Sequence, residues 1–458
     1  MPAPITRNLG EFASGLTFEA LPSTAVEAVI TGFTDSVAVM YSGMSFPLSQ
    51  IALDTIGTRG LSTESRLLLG TERASAMDAA LANSATLGAG VFDDVAFAGC
   101  HTSVILLPAL FAEADALGLG GRDVIRAYAA GYEAWARLSE RDPDSYSSKG
   151  WHATACFGPV AGAIAVSNLR RFDTAQTVRA IGIAAAMSGG ITRSFDYLIG
   201  PFQVARASAA GVHAARLAQA GLTASEDALE FPGRGLLSTL SPRGQVDLDR
   251  PIDDLGRAWR LETVGIHVKQ HPVGNMMQRA LDGILDLVRE HDVTPAQVVR
   301  IEALISLAQM EVHKKSPSTS GGHLVPSHSI ELALAAALID RRMTYDHLKE
   351  PFYSRDDVRA VMEKVEIVPD PAIPADTTPN LGFSGGIRLH LQDGRVLEAP
   401  SVPFARGHWT RRLTADDAWR KFSTCTEGRL SPAAARALFD QLQSLDRVAS
   451  IRDLNPPS

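Results

Sequence analysis

Three segments of this chain bring residues able to move a proton to the edge of an apolar stretch. The first reads Lys149-Gly150-Trp151-His152-Ala153-Thr154 and runs through Ala155-Cys156-Phe157-Gly158 into an Ala/Gly-rich run. The second, Asp93-Asp94 followed by Gly99-Cys100-His101-Thr102-Ser103, also delivers a histidine just before an apolar helix-like run. The third carries Lys269, in Val268-Lys269-Gln270-His271-Pro272. A histidine held partly dry at the mouth of a helix can have a pKa near working pH. Alone, His152 reads as a polar residue at a helix start, and Lys269 as a solvated lysine at a strand end. Taken together, His101, His152 and Lys269 fit the making or breaking of a C–H bond beside a carboxylate. That chemistry needs a base for the proton and cations to steady the enolate, and these residue types supply both without a metal or cofactor.

Other residues are candidates for holding an anionic substrate. Arg193, in Gly189-Gly190-Ile191-Thr192-Arg193-Ser194, and Arg206 could pair bidentately with a carboxylate. Tyr146 and Lys149 precede His152 closely, Asp94 precedes His101, and His271 stands two residues from Lys269. His267, His271, His313, His323 and His328 make a histidine-rich stretch. No pair has the HxxxH helix spacing with an attendant carboxylate, so no metal is expected. The glycines at 118, 120 and 121 and at 233 and 235 follow no strand and read as helix stops and turns rather than a nucleotide loop.

Composition narrows the classes. The 458 residues carry 45% hydrophobic, 6% aromatic and 21% charged side chains, an ordinary globular balance for more than one domain. A net charge of −8 leaves no basic stripe for nucleic acid. The three cysteines, Cys100, Cys156 and Cys425, lack paired spacing. The opening MPAPITRNLGEFASGL has no signal-peptide core, and no run reaches membrane-span length, so a cytoplasmic protein is expected.

Apolar residues recur at three- and four-residue spacing over 26–41, 75–89, 104–117, 124–138, 161–169, 175–187 and 205–220, which predicts helix after helix. Beyond residue 261 the pattern alternates, with strands expected over 263–268, 298–307 and 365–368 and a hairpin over 386–397 turning at Asp393-Gly394. Helices are expected between them, over 276–290, 329–339 and 356–363, and residues 413–448 read as helical again. The predicted class is mainly α with an α+β second domain: a helical domain at 1–262, completed by 405–458, and an α+β domain at 263–404.

The motifs also carry a resemblance. Phe92-Asp93-Asp94 with His101, Gly131-Tyr132-Glu133, Gly150-Trp151-His152-Ala153-Thr154, Gly158, Ala161-Gly162-Ala163, the stretch 206–221, Arg234-Gly235-Leu236-Leu237, Val268-Lys269-Gln270-His271-Pro272 and Ser327-His328-Ser329-Ile330 occur in the order of the MmgE/PrpD superfamily, which the chain resembles. Activities in that superfamily include dehydration of 2-methylcitrate, decarboxylation of cis-aconitate and epimerisation of iminodisuccinate. The resemblance implies a helical domain built from both ends of the chain, an inserted α+β domain, a cleft holding His101, His152 and Lys269, and a homodimer. The Ala/Gly-rich helices point the same way on dimerisation.

Departures from the pattern bear on substrate. Val91 and Val95 stand where the family pattern has Asp and Thr, and a lysine and a histidine of the family fall on about Gly200 and Gln203. Its Cys-Arg pair falls on Gly274 and Asn275, a further histidine on about Gln278, and a tyrosine on Leu332. Groups that would hold a tricarboxylate are thus replaced, which favours a smaller or less charged acid. The expected function is proton abstraction alpha to a carboxylate of a small organic acid, by an enzyme of the lyase or isomerase type. Dehydratase-type elimination leads; epimerisation or a non-catalytic homologue is the alternative. A partly exposed His152 would tolerate replacement by Ala with folding nearly intact.

Overall fold

In a computed structural model, residues 2–305, 319–320, 323–324, 326–370 and 384–454 are described. The chain is mainly helical with a smaller α+β part, as its patterning predicts. One compact unit comprises Met1–Ala89, Asp93–Ile266 and Ala415–Ser458; the other comprises Gly90–Phe92 and His267–Thr414.

The helical unit is built from α1 (Ile5–Gly15), α2 (Ser23–Gly43), α3 (Pro47–Thr55), α4 (Ala76–Gly88), α5 (Ser103–Leu117), α6 (Gly121–Ser139), α7 (Ala153–Leu169), α8 (Thr174–Ala186) and α9 (Ile199–Gln219). All 17 residues of α7 are buried, so it has no solvent face and is the central helix, ringed by α5, α6, α8 and α9. Small residues permit that crowding. A Cβ on Gly211 of α9 would lie 2.8 Å from the Gly162 Cα of α7, so any larger residue there would push the two helices apart.

Helices α7 and α9 begin well before the starts that periodicity suggests, at residues 153 and 199 rather than 161 and 205. Gly158 and Pro159 look like a helix stop in sequence, yet both lie inside α7. Proline removes the N–H that would bond the carbonyl four residues earlier. Here the Gly189 N–H donates to that carbonyl, on Ala155, at 3.4 Å. Pro108 inside α5 is handled likewise: the Val104 carbonyl accepts from Ser84 Oγ at 2.6 Å.

The α+β unit contains α10 (Gln278–Glu290), β1 (Val298–Ile305), α11 (Ile330–Asp340), α12 (Asp356–Met362), β2 (Val365–Pro369), β3 (Ser384–Leu391) and β4 (Val396–Ala399). The strands form one mixed sheet in the order β2-β1-β3-β4, with β1 and β2 parallel and the other pairs antiparallel. Parallel pairing needs a crossover, and α11 and α12 lie between β1 and β2 in the chain. The β3–β4 hairpin turns as expected, with Gly394 at φ +87°. The amphipathic α10 packs on β3 and β4 over a core of Leu281, Ile284, Ile301, Ile387 and Leu389.

One expected strand is absent. Residues 263–268 hold no strand; Arg260–Thr263 is a helical turn instead. Its opening amides, Arg260 N and Leu261 N, donate to the buried Glu133 carboxylate at 3.0 and 2.9 Å. Residues 306 and 307, the end of another expected strand, lie outside the described residues. The chain's last two long helices, α13 (Ala415–Thr426) and α14 (Pro432–Gln443), return to α2 of the helical unit.

Candidate functional site

Two loops of the helical unit carry the two histidines. His101 immediately precedes α5, and its N–H donates to Thr154 Oγ1 in the first turn of α7 at 3.1 Å. His152 is the N-cap residue of α7. Its N–H donates to the Gly190 carbonyl at 3.0 Å, while Thr192 N donates to the Gly150 carbonyl at 3.0 Å, so the segment pairs with the loop after α8. Gly150 stands at φ +87°, where a side chain would be strained, and this turn aims the chain into that pairing.

His101 Nδ1 lies 2.7 Å from Asp93 Oδ2, with the His101 side chain 26% exposed and that of Asp93 5% exposed. A carboxylate on Nδ1 fixes the tautomer and leaves Nε2 with the lone pair. His152 differs. It is only 9% exposed, its ring lies edge-on to Phe195 at 4.7 Å between centroids, and its buried Nδ1 has no hydrogen-bond partner among the described residues. Burial above all, then the nearby His101, pushes the His152 pKa down to about 3, against a smaller upward pull from Asp93. At neutral pH the ring is therefore uncharged. Its burial also means that His152→Ala would open a void, contrary to the expectation of a nearly cost-free change.

Asp93, rather than its neighbour Asp94, faces His101. Asp94 is wholly buried, accepting from Ser103 Oγ and from Ser103 N at 3.3 Å; Tyr128 OH lies 2.8 Å from the same Ser103 hydroxyl. Burial, with the Asp35 and Asp93 charges adding, raises the Asp94 pKa to about 8. The sequence shows two adjacent acids but not which of them turns outward; the start of α5 decides it.

The remaining candidates of this unit have partners within the chain. Lys149 Nζ is 2.5 Å from Asp142 Oδ2, with side chains 1% and 0% exposed, and lies 4.0 Å over the Tyr146 ring. Tyr146 is buried edge-on against Phe157, and burial raises its pKa. Arg193 is exposed and pairs with Asp196 at 3.0 Å. Arg206 donates to the Met187 and Gly189 carbonyls at the end of α8. Two family positions have become structural as well. Gln203 accepts from Ile191 N at 2.6 Å and donates to Ile191 O at 3.2 Å, clamping the loop beside His152. A Cβ on Gly200 would lie 2.8 Å from the Ser194 carbonyl, so this backbone has no room for a lysine there.

Lys269 and His271 belong to the α+β unit. Lys269 is 2% exposed and donates from Nζ to the Val91 carbonyl at 2.9 Å. Val91 itself sits at φ +55°, a strained conformation for a β-branched residue. Gln278 accepts from Gln270 N and His271 N, both at 3.1 Å, and donates to His271 O at 2.9 Å, so it clamps the turn after Lys269. Lys269 also lines a shallow depression open to solvent, together with His267, Arg279, Phe404, Arg406 and His408. Phe404, Arg406 and His408 escape sequence reading because they lie in an irregular loop distant from every motif, and Arg279 because it reads as an ordinary helical arginine. Among the described residues no group of His, Cys, Asp or Glu is disposed to hold a metal; His313 lies outside them. No described helix is long and apolar enough to cross a membrane.

Comparison with known proteins matches residues 7–249 to the MmgE/PrpD N-terminal domain and 271–447 to the MmgE/PrpD C-terminal domain. Similar curated proteins include the cis-aconitate decarboxylase of Aspergillus terreus, 23% identical over 98% of this chain and 95% of that protein. The cis-aconitate decarboxylases of Mus musculus and Homo sapiens are each 24% identical over 80% of this chain and 75% and 76% of their own lengths. With the two domain models together spanning most of its length, the chain belongs to the MmgE/PrpD family.

Proposed function

We propose that the protein is a lyase of small organic acids that works by proton transfer at the carbon alpha to a carboxylate, with no cofactor. The observation that carries this reading is the pairing of two unlike histidines: His101, oriented by Asp93, beside a buried His152 whose Nδ1 lacks a partner. A buried polar atom without a partner costs roughly 1–3 kcal/mol, a cost that a bound substrate group would offset. The named activity of the relatives, a decarboxylation, supports the lyase class. At 22–26% identity they leave the substrate open.

In this reading His101 Nε2 is the proton carrier, and an imidazolium formed there sits against the Asp93 carboxylate. His152, neutral at working pH, donates a hydrogen bond to the developing enolate oxygen rather than giving up its proton. In an elimination the alpha proton passes to His101, which hands it on to the beta hydroxyl as that leaves as water. In a decarboxylation the C–C bond electrons stay on the alpha carbon as CO2 departs, and a His101 that starts protonated donates its proton to that carbon. Replacement of the polar family positions by Gly200, Gln203 and Gln278 favours an acid with fewer carboxylates than cis-aconitate.

The test is incubation with a panel of small carboxylic acids, cis-aconitate included, in deuterated water, read by proton NMR. Deuterium entering an alpha carbon with loss of water or CO2 is expected. Deuterium with inversion and no lost fragment would move the assignment to an epimerase, and neither incorporation nor a lost fragment from any acid would favour a non-catalytic homologue. We further propose that the helical unit forms a homodimer, since Tyr197, Leu198 and Ile199 leave half of their surface or more exposed. Sedimentation of a stable monomer at micromolar concentration would overturn that.

A further inference from the structure

We infer that Phe195 sets specificity at the helical-unit site: it makes the wall beside His152 apolar, so the acid taken there carries an uncharged hydrocarbon group, alkyl or aryl, besides its reacting carboxylate. The inference rests on the lyase reading and narrows it, from an acid with fewer charges to one with a hydrocarbon arm. Three observations carry it.

The ring is held in place by the backbone. His152 N donates to the Gly190 carbonyl, Thr192 N to the Gly150 carbonyl and Phe195 N to the Thr192 carbonyl, each at 3.0 Å. These bonds tie the turn bearing Phe195 to the segment bearing His152, and the two rings meet edge-on at 4.7 Å and 87°. Gly200 lets α9 begin tight against that turn. A Cβ at Gly200 would lie 2.8 Å from the Ser194 carbonyl and 3.1 Å from the Phe195 Cα. A side chain at that position would push the turn, and Phe195 with it, away from His152.

The ring is also available. Phe195 keeps 38% of its surface exposed over a His152 that is only 9% exposed. The buried Nδ1 of His152 has no hydrogen-bond partner among the described residues. Open apolar surface beside a polar atom awaiting a partner is the make-up of a small-molecule site, in which apolar area supplies affinity and few polar groups set orientation.

The local charges complete the argument. Each cation that the sequence places near His152 is engaged elsewhere: Lys149 with Asp142, Arg193 with Asp196, and Arg206 with the Met187 and Gly189 carbonyls. A second carboxylate seated against Phe195 would give up hydration and gain no such partner, whereas a hydrocarbon group gains ring contact and loses nothing. A neutral His152 agrees with an uncharged neighbour.

The experiment pairs binding with turnover on the full chain. Binding is read by calorimetric titration with pentanoate, 3-phenylpropionate and succinate. Turnover is read by proton NMR in deuterated water with three 3-hydroxy acids bearing ethyl, phenyl or carboxylate on the hydroxylated carbon. Pentanoate or 3-phenylpropionate should bind roughly tenfold more tightly than succinate, and the matching hydroxy acid should have the higher kcat/KM. Phe195→Leu should keep the preference, Phe195→Ala should lower it by roughly tenfold, and Phe195→Lys should turn it toward succinate, with circular dichroism confirming each fold. Tyr197→Ala, on the proposed dimer face, should leave it unchanged. Succinate binding as tightly as both apolar acids would overturn the inference, as would no binding of any probe. A preference that survives Phe195→Ala while sedimentation shows lost assembly would make Phe195 a subunit contact and overturn it too. Turnover of the carboxylate-bearing acid alone would sink the apolar wall and leave the lyase reading standing. A Phe195-dependent binding preference without turnover of any acid would sink the lyase reading and leave the wall.

Discussion

Each unit contains a histidine pair, and in each pair one ring is held neutral with a pKa near 3, His152 in the helical unit and His408 in the α+β unit. The first cause is the same, burial, and so is the second, a neighbouring histidine. The third differs. Asp93 pulls the His152 pKa upward, whereas Arg279 pushes that of His408 further down. The same depressed imidazole thus sits in opposite fields, one next to a carboxylate–histidine couple that can carry a proton, the other beside a fixed guanidinium. A shifted pKa by itself does not tell proton transfer from binding; the charge beside it does.

The comparison breaks most directly at its partners. His101→Ala should lower kcat by roughly 10²–10⁴-fold, the usual contribution of a general acid–base group, while His408→Phe should leave it unchanged. Steady-state kinetics on the two variants would refute the division of labour if both reduced kcat equally. Asp93→Asn should follow His101→Ala in direction with a smaller loss, since it spoils the tautomer without removing the ring.

Stability against pH sharpens it next. A histidine near pKa 3 when folded and about 6.5 when unfolded binds more protons in the unfolded state between those values. Its stabilisation is complete above about 6.5 and is lost as pH falls toward 3. His152→Gln and His408→Phe should each flatten that acid limb, by a few kcal/mol at most, in urea melts at pH 4 to 7. Asp94 runs the other way. With its pKa raised to about 8, the folded state holds the extra proton, so its contribution is greatest at low pH and is lost as pH rises through 8. Asp94→Asn imitates the protonated form and should lessen the loss of stability between about pH 4 and 8. The smallest effect is expected from Phe195→Ala, about 1 kcal/mol for one edge-on ring contact, with water then reaching His152 and its acid limb shrinking.

Much of this was legible in the sequence where it depends on neighbours along the chain. Helical periodicity located α2 and α4 to α9 of the first unit but missed α1 and α3, and Asp393-Gly394 located the β3–β4 turn. What stayed hidden depends on distant partners. Residues 263–268 alternate like a strand, yet the preceding turn is helical because the Glu133 carboxylate, far away in the chain, caps it. The early start of α7 is hidden by Gly158 and Pro159, whose cost is met from other loops. Lys149 looked like an anion holder because nothing near it in sequence reveals Asp142 as a buried partner. Gln203 and Gln278 looked like losses from a polar site, and their amides instead clamp the loops that bear His152 and Lys269.

Pro159 has a consequence for motion. By lacking an N–H it leaves the Ala155 carbonyl to Gly189, so a loop amide is bonded within the wall of the central helix. That amide should exchange with deuterium far more slowly than an ordinary loop amide, keeping time with the core rather than the surface. Pro159→Ala would let α7 reclaim its own carbonyl and regularise the helix. The same change would untether the Gly189-Gly190 strip on which His152 rests, so a local gain in helix order would be felt as loosened histidine placement, with slower exchange in the helix and faster exchange in the loop.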